Sequence, residues 1–179
     1  MRDRLTELIP EITLFSDDDL KEKTIVAYEN ALNEGGWNPD DLTRMPFTLL
    51  IDPCPASMLD HIRGVTQVSL AVAEALKKAH PGNEKMHADH NLLLAGALLH
   101  DVGKLVEYME IDGKFVKSES GKLLRHPVSG AAIAKVAGLP DKVQHMIAYH
   151  SHEGDKARNF LEAFIVNHSD FLNFEPLKV

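Results

Sequence analysis

The chain has 179 residues, 44% of them hydrophobic and 26% charged, which is typical of a globular domain long enough to bury one compact core. Its formal net charge of -8 argues against binding along a nucleic-acid duplex, because phosphate contacts need a basic surface, but a metal-assisted site for a small anion stays possible. A single cysteine, Cys54, excludes an internal disulfide and a thiolate zinc cluster within one chain. No apolar stretch reaches the roughly 20 residues of a membrane span, so we expect a cytoplasmic protein without membrane contact.

The first well-marked helix is predicted to start in the acidic segment Ser16–Asp19. Ser16 supplies a capping oxygen, and the three aspartates that follow face the positive end of the helix dipole. The pair Gly35-Gly36 ends the helix. Residues 37–55 are rich in proline and predict an irregular connection with one short helix.

The next predicted helix runs from Ser57 to about His80, with apolar residues at helical spacing. His61 lies beside Ile62 and one turn before Val65, at the edge of the apolar face. A histidine in this position is either a packed core residue or a metal ligand, and the helix alone does not decide between them.

The most informative feature is the doublet His100-Asp101, which follows the apolar run Leu92–Leu99. The run predicts a buried helix, and polar groups enter such an environment only with compensation. A divalent metal ion would provide it, because the ion neutralises the carboxylate and occupies the imidazole lone pair. A hydrogen bond between the two side chains is the alternative.

A β-hairpin is predicted after the doublet. The segments Tyr108–Ile111 and Lys114–Lys117 alternate around Asp112-Gly113, a dipeptide that favours a tight turn between strands. A hairpin close to a site can be a lid that shapes substrate choice or a surface decoration.

Three further candidate ligands lie on helices near the C-terminal end of the sequence. His126 stands at the entrance of one helix, with Pro127 in the first helical position, where the imidazole either caps the helix or projects into a site. The next helix ends at His150, on its inward face. The last one, over about residues 159–174, carries Asp170 after an apolar run.

Other histidines are assigned no ligand role. His145 lies on a different helical face from His150, and we expect it to be solvated. His168 lies two residues from Asp170, on roughly the opposite side of the helix, and is expected to be structural. The role of His152 stays open.

The candidate ligands occur in the order His61, His100-Asp101, His126, His150, Asp170. This order resembles the HD-domain superfamily of metal-dependent phosphohydrolases, and residues 100–104 match its His-Asp-x-Gly-Lys form. The resemblance covers roughly residues 55–175 and implies an all-α fold, an HD-domain helical bundle with the hairpin as a small β insertion. We therefore expect a catalytic domain at residues 55–179 with a helical extension at residues 1–54, in one compact unit.

The resemblance also implies a dinuclear metal centre. Asp101 would bridge two divalent ions, with His61, His100 and Asp170 on the first and His126 and His150 on the second. Mixed histidine and carboxylate ligands suit Fe, Mn, Co, Ni or Zn better than Mg. The chain departs from the HD-GYP phosphodiesterases, because a serine separates His150 from His152 and no Gly-Tyr-Pro follows. Ser57 stands where trinuclear members carry a glutamate, which argues against a third ion.

These residues predict a phosphomonoesterase or phosphodiesterase that acts on a nucleotide or another small phosphate ester. Two metal ions can activate water as the nucleophile and neutralise charge on a phosphoryl oxygen. Asp101 and Lys104 are the expected catalytic residues, and Lys104, Lys122 and Arg125 are the expected contacts of the substrate phosphate. Two alternatives are a di-iron oxygenase, a chemistry that also occurs on this fold, and a non-catalytic module that binds metal or nucleotide.

Overall fold

The computed structural model describes residues 1–178, most of which are helical. The α-helices are α1 (Arg2–Leu8), α2 (Asp18–Gly35), α3 (Met58–Ala79), α4 (His90–Leu99), α5 (Lys104–Glu107), α6 (Glu119–Leu123), α7 (His126–Val136), α8 (Asp141–Tyr149) and α9 (Leu161–Phe174). Two antiparallel strands, β1 (Tyr108–Ile111) and β2 (Lys114–Lys117), follow α5. Short 3-10 helices cover Pro10–Leu14, Pro39–Thr43, Glu84–Met86, His152–Gly154 and Glu175–Lys178. The predicted all-α bundle with one small hairpin is confirmed.

Helix α4 lies at the centre of the bundle. It packs against α2, α3, α8 and α9, and every residue from Leu93 to Leu99 is buried. A helix that is apolar on all sides is stable where neighbouring helices surround it, which explains why this segment shows no polar face. Its C-terminal end therefore carries His100 into the middle of the molecule.

Helix α3 supplies the second wall of the centre. Its first turn is closed by a capping box, in which Ser57 Oγ accepts a hydrogen bond from the Asp60 backbone N–H and the Asp60 carboxylate accepts one from the Ser57 N–H. The helix packs against α4 and α9. His61 lies on the buried face, together with Ile62 and Val65.

The N-terminal 54 residues share a hydrophobic core with the rest of the chain. Helix α2 packs against α4, α5 and α7, and the hydroxyl of Tyr28 donates a hydrogen bond to the carbonyl oxygen of Leu98. Trp37 Nε1 donates another to the carbonyl oxygen of Leu105, at 2.7 Å. The division of the chain at residue 54 stays a prediction, and the shared core is what one compact unit requires.

The hairpin forms over the predicted segments. Tyr108 pairs with Lys117, and Ile111 pairs with Lys114. Asp112 and Gly113 have φ angles of 51° and 76°, the positive values that match a two-residue turn to the twist of the strands.

The start of α2 differs from the prediction. Asp17, not Ser16, caps the helix, because Asp17 Oδ1 accepts hydrogen bonds from the backbone N–H groups of Asp19 and Leu20, each at 3.0 Å. Ser16 instead hydrogen-bonds the side chain of Asn91, which ties this turn to α4. Over residues 1–178, no helix combines the length and the apolar character needed to cross a membrane.

Candidate metal centre

The turn after α4 is pressed against the start of α7. Gly103 allows this approach, because a β-carbon there would lie 2.0 Å from the carbonyl oxygen of His126. Asp101, in the same turn, is buried with 1% exposure. The contact therefore places the carboxylate of Asp101 beside an imidazole that is distant in sequence.

One half of the centre surrounds the Oδ2 atom of Asp101. His61 Nε2 and His100 Nε2 lie 3.3 and 3.4 Å from it, and 3.2 Å from each other. Asp170 Oδ1 lies 3.1 Å from His61 Nε2 and 3.9 Å from His100 Nε2. Helices α3 and α9 and the end of α4 thus bring two imidazoles and a second carboxylate to one oxygen.

The other half of the centre surrounds the Oδ1 atom of Asp101. His126 Nε2 lies 3.3 Å from this oxygen and His150 Nε2 lies 3.5 Å from it. The two ring nitrogens are 3.3 Å apart. The structure therefore brings together all six predicted ligands, two imidazoles on each oxygen of Asp101, with Asp170 beside the first pair.

The tautomers of three imidazoles follow from the contacts of Nδ1, the ring nitrogen that does not face Asp101. Nδ1 of His100 donates to the carbonyl oxygen of Ala97 at 2.7 Å, and Nδ1 of His150 donates to that of Ile147 at 2.8 Å. Nδ1 of His126 faces a carboxylate oxygen of Glu107 at 3.0 Å. In the neutral imidazoles, each Nε2 then turns a lone pair toward Asp101.

This arrangement fits a divalent cation in each half. Oδ1 of Asp101 and the Nε2 atoms of His126 and His150 are three acceptor atoms that face one another, and within residues 1–178 this oxygen has no hydrogen-bond donor although it is buried. A cation would satisfy all three at once. The separations also fit, since ligand atoms at about 2.1 Å from one ion lie roughly 3.0–3.5 Å apart.

Burial and charge set the ionisation of these groups. Burial alone would raise the pKa of Asp101, but nearby positive charge, above all that of the Lys104 ammonium, outweighs it and holds the pKa well below its usual range. Burial lowers the pKa of His126 to about 4, which keeps this imidazole neutral at physiological pH. For Asp170, a hydrogen bond from His61 overcomes the effect of burial and lowers the pKa to about 2.

Lys104 is buried and bound to the centre itself. Its ammonium donates to Asp101 Oδ2 at 2.6 Å and to the carbonyl oxygen of Phe47 at 2.7 Å. Burial would lower the pKa of Lys104, yet the carboxylate of Asp101 raises it, so the lysine stays charged. An ammonium has three N–H donors, and two of them are occupied here.

A cavity of about 380 Å³ opens above the centre. Its walls come from the loop at residues 47–50, from Phe171 and Phe174 of α9, and from His152. Basic groups line it as well, namely Lys104, Lys117, Arg125 and Lys178. A volume of this size suits a small organic molecule, and the mixture of aromatic and cationic walls suits one that is anionic.

The other residues singled out from the sequence lie in different surroundings. Arg125 lines the cavity and pairs with Glu153 at 3.0 Å. Lys122 is exposed, contacts Glu119 and is not part of the cavity wall. His168 is exposed and away from the centre.

His145 differs from its prediction. It is half-buried rather than solvated, with its ring centroid 4.7 Å from that of Tyr149 and 5.0 Å from that of Phe160. This packing, together with nearby Arg158, lowers its pKa. It takes no part in the centre, because it lies on another face of α8 from His150.

Sequence reasoning missed Phe47 and Glu107, which contact the side chains of two ligands. The ring of Phe47 stacks on the imidazole of His61, with centroids 4.4 Å apart and planes inclined by 20°. The carboxylate of Glu107 contacts His126. Phe47 reaches His61 and Glu107 reaches His126 only through tertiary packing, and the sequence offered no stronger signal than an acidic residue at the edge of an apolar segment.

Comparison with known families gives one match over most of the chain. A family model of the HD domain matches residues 58–173. No solved structure matches the chain significantly.

Two curated proteins are similar in sequence. The chain is 26% identical over 180 residues to dihydroneopterin 2',3'-cyclic phosphate phosphodiesterase of Methanocaldococcus jannaschii, in an alignment that covers 94% of this chain and 67% of that protein. It is 29% identical over 97 residues to tRNA (cytidine(56)-2'-O)-methyltransferase of Thermoplasma volcanium, covering 54% of this chain and 22% of that protein. The second alignment spans a minor part of the methyltransferase.

Proposed function

Because the chain belongs to the HD-domain family of metal-dependent phosphohydrolases, we propose that it is a phosphodiesterase that opens a cyclic phosphate ester on a small heterocyclic molecule. The coarse reaction class, hydrolysis of a phosphate ester, is what the family match supports. The finer choice of a cyclic phosphodiester comes from the similarity to the archaeal phosphodiesterase.

The observation that carries the proposal is the sharing of Asp101 between two pairs of imidazoles. Each carboxylate oxygen faces two Nε2 atoms at 3.3 to 3.5 Å, so one side chain can connect two metal ions. Such ions would supply Lewis acidity, which brings the pKa of a bound water toward neutrality and neutralises charge on phosphoryl oxygens.

The protein side chains around the centre would orient the phosphate. Lys104 keeps a third N–H donor for a phosphoryl oxygen, because its first two donate to Asp101 and to the Phe47 carbonyl. Arg125 stands on the cavity wall, where its guanidinium can bind two phosphate oxygens. We do not include Lys122 in the site, because its ammonium lies outside the cavity wall.

The remaining walls would hold the organic part of the substrate. Phe47, Phe171 and Phe174 give apolar aromatic surface beside the centre, and the cavity of about 380 Å³ accepts a bicyclic ring with a short side chain. Dihydroneopterin 2',3'-cyclic phosphate, the substrate in the name of the archaeal relative, is therefore the first compound to test. A nucleoside 2',3'-cyclic phosphate is the second.

The test is hydrolysis by metal-free protein supplied with Mn, Fe, Co, Ni or Zn. We expect one ester P–O bond to break and water to add, so that the cyclic diester becomes a monoester detectable by chromatography. Chelator and the substitution Asp101→Asn should abolish the product, whereas His168→Gln, at an exposed histidine outside the centre, should not.

The other outcomes of this experiment separate the alternatives. Bound iron with oxygen uptake and no phosphate chemistry would point to the oxygenase. Bound metal without turnover of any compound would point to the binding module. Either result would contradict the proposed phosphodiesterase.

A further inference from the structure

Glu107, the last residue of α5, is 4% exposed and makes a double contact with His126. Its Oε2 atom accepts a hydrogen bond from the backbone N–H of His126 and lies 3.0 Å from Nδ1 of the same residue. An ionised carboxylate has no proton to donate and can only accept, so Nδ1 of His126 carries the proton and Nε2 is left free.

The two halves of the centre differ in the partners of their Nδ1 atoms, because only the second half has a carboxylate partner among the residues described. Nδ1 of His100, in the first half, donates to a backbone carbonyl, and so does Nδ1 of His150 in the second. Among the residues described, His126 is the predicted ligand whose Nδ1 faces a carboxylate. A carboxylate partner fixes the ring and increases the basicity of the free nitrogen more than a neutral carbonyl does.

The β-hairpin and α6 hold this carboxylate in place. Lys117, on β2, lies 3.1 Å from Glu107 Oε1. The Ser118 backbone N–H donates to the carbonyl oxygen of Glu107 at 2.8 Å. Gly121 packs so closely that a β-carbon there would lie 2.2 Å from the same oxygen. The backbone and the side chain of Glu107 are thus both fixed by the segment that follows it.

We propose that Glu107 is a positioning residue that sets the metal affinity of the His126–His150 half of the centre, and that the hairpin serves to hold it. The inference rests on the proposed function in one respect, the presence of two metal ions. It does not depend on the identity of the substrate. It also assigns the hairpin a role other than that of a lid or a decoration.

The test is a titration of metal-free protein with Co²⁺, followed by calorimetry and by the visible absorption of the bound ion. We expect wild-type protein to bind two ions. In Glu107→Gln, one dissociation constant should rise by about 10- to 100-fold while the other stays unchanged, as is typical when a partner of a ligating imidazole is lost. Thermal unfolding of both metal-free proteins reports whether the variant is folded.

Glu110→Gln is the matched control. Glu110 belongs to the same hairpin, but its carboxylate pairs with Arg44 at 2.8 Å and does not line the cavity above the centre. This variant should bind both ions as the wild type does.

A double-mutant cycle separates positioning from a general effect on charge. His126→Ala should lose the ion of its own half, and if Glu107 acts through His126, adding Glu107→Gln should leave the dissociation constant of the remaining ion unchanged. Unchanged constants in Glu107→Gln, equal weakening of both sites, a weaker remaining site in the double variant, or a wild-type protein that binds one ion would each overturn the inference. A phosphodiesterase assay that fails while these constants behave as expected would overturn the proposed function and leave the role of Glu107 intact.

Discussion

The ammonium of Lys104 lies 2.6 Å from Asp101 Oδ2, with both side chains buried in the centre of the molecule. The lysine that the sequence marks as a phosphate contact is therefore also the fixed counterion of the carboxylate between the two imidazole pairs. Removing the cationic partner of a buried carboxylate is strongly destabilising, because the negative charge is then left without compensation.

Lys104→Met should therefore destabilise metal-free protein by about 3 kcal/mol, and metal-loaded protein by less, since bound cations would take over the compensation. Urea unfolding of both forms measures the two losses. Lys122→Met, which removes an exposed lysine, should leave both forms unchanged. Equal losses from Lys104→Met with and without metal would contradict this account of the pair.

The close approach of Gly103 to α7 gives a second prediction. A methyl group at residue 103 would overlap the backbone of His126, so Gly103→Ala should lower the free energy of unfolding by at least about 2 kcal/mol and weaken metal binding. The matched control is Gly82→Ala, because no atom lies within 4 Å of a β-carbon at that exposed position. The idea fails if both glycine variants have the same stability and metal content.

The N-terminal segment should unfold together with the bundle. Tyr28→Phe deletes the buried hydrogen bond to the carbonyl oxygen of Leu98 and should cost about 1–2 kcal/mol. Because Trp37 is the one tryptophan of the chain and lies in this segment, its fluorescence can be compared with circular dichroism, which follows the whole bundle. The two probes should give one coincident transition. A separate, earlier fluorescence transition would show that residues 1–54 form an independent unit.

Stability should also depend on the titration of His145. Burial and the nearby Arg158 lower the pKa of His145 in the folded protein. As the pH falls below about 6.5, this imidazole is therefore protonated in the unfolded chain before it is protonated in the folded one. The contribution of this residue to stability is thus greatest above that pH and decreases as the pH falls through the folded pKa. We expect His145→Gln to flatten the dependence of urea midpoint on pH between 8 and 5. A dependence identical to that of the wild type would show that His145 titrates alike in both states.

Much of the centre could be predicted from the sequence because its ligands stand at marked places on helices. The doublet ends a helix that is buried on all sides, and His126 occupies a helix entrance fixed by Pro127. That His61 and Asp170 belong to the same half was predicted from the ligand order of the HD-domain superfamily and not from helical periodicity. Its geometry needed α3 and α9 to pack side by side.

The residues that could not be predicted are those whose role depends on a turn. Glu107 and His126 are separated by a hairpin and a short helix, and they come into contact only where α5 packs against α7 in the folded protein. Lys122 was expected near the phosphate because it precedes His126 closely in sequence. Helix α6 instead directs its side chain toward solvent and Glu119.

The central claim is that Asp101 joins two metal sites, and metal content tests it most directly. Protein purified without chelator or a histidine-rich tag should contain two metal ions per chain by elemental mass spectrometry. Asp101→Asn should weaken the binding of both ions by more than about 100-fold, because Asp101 is itself a ligand and not the partner of one. His150→Ala should lose one ion and keep the other. A wild-type chain that takes up no metal after reconstitution, or an Asp101→Asn variant that keeps two ions, would contradict the account.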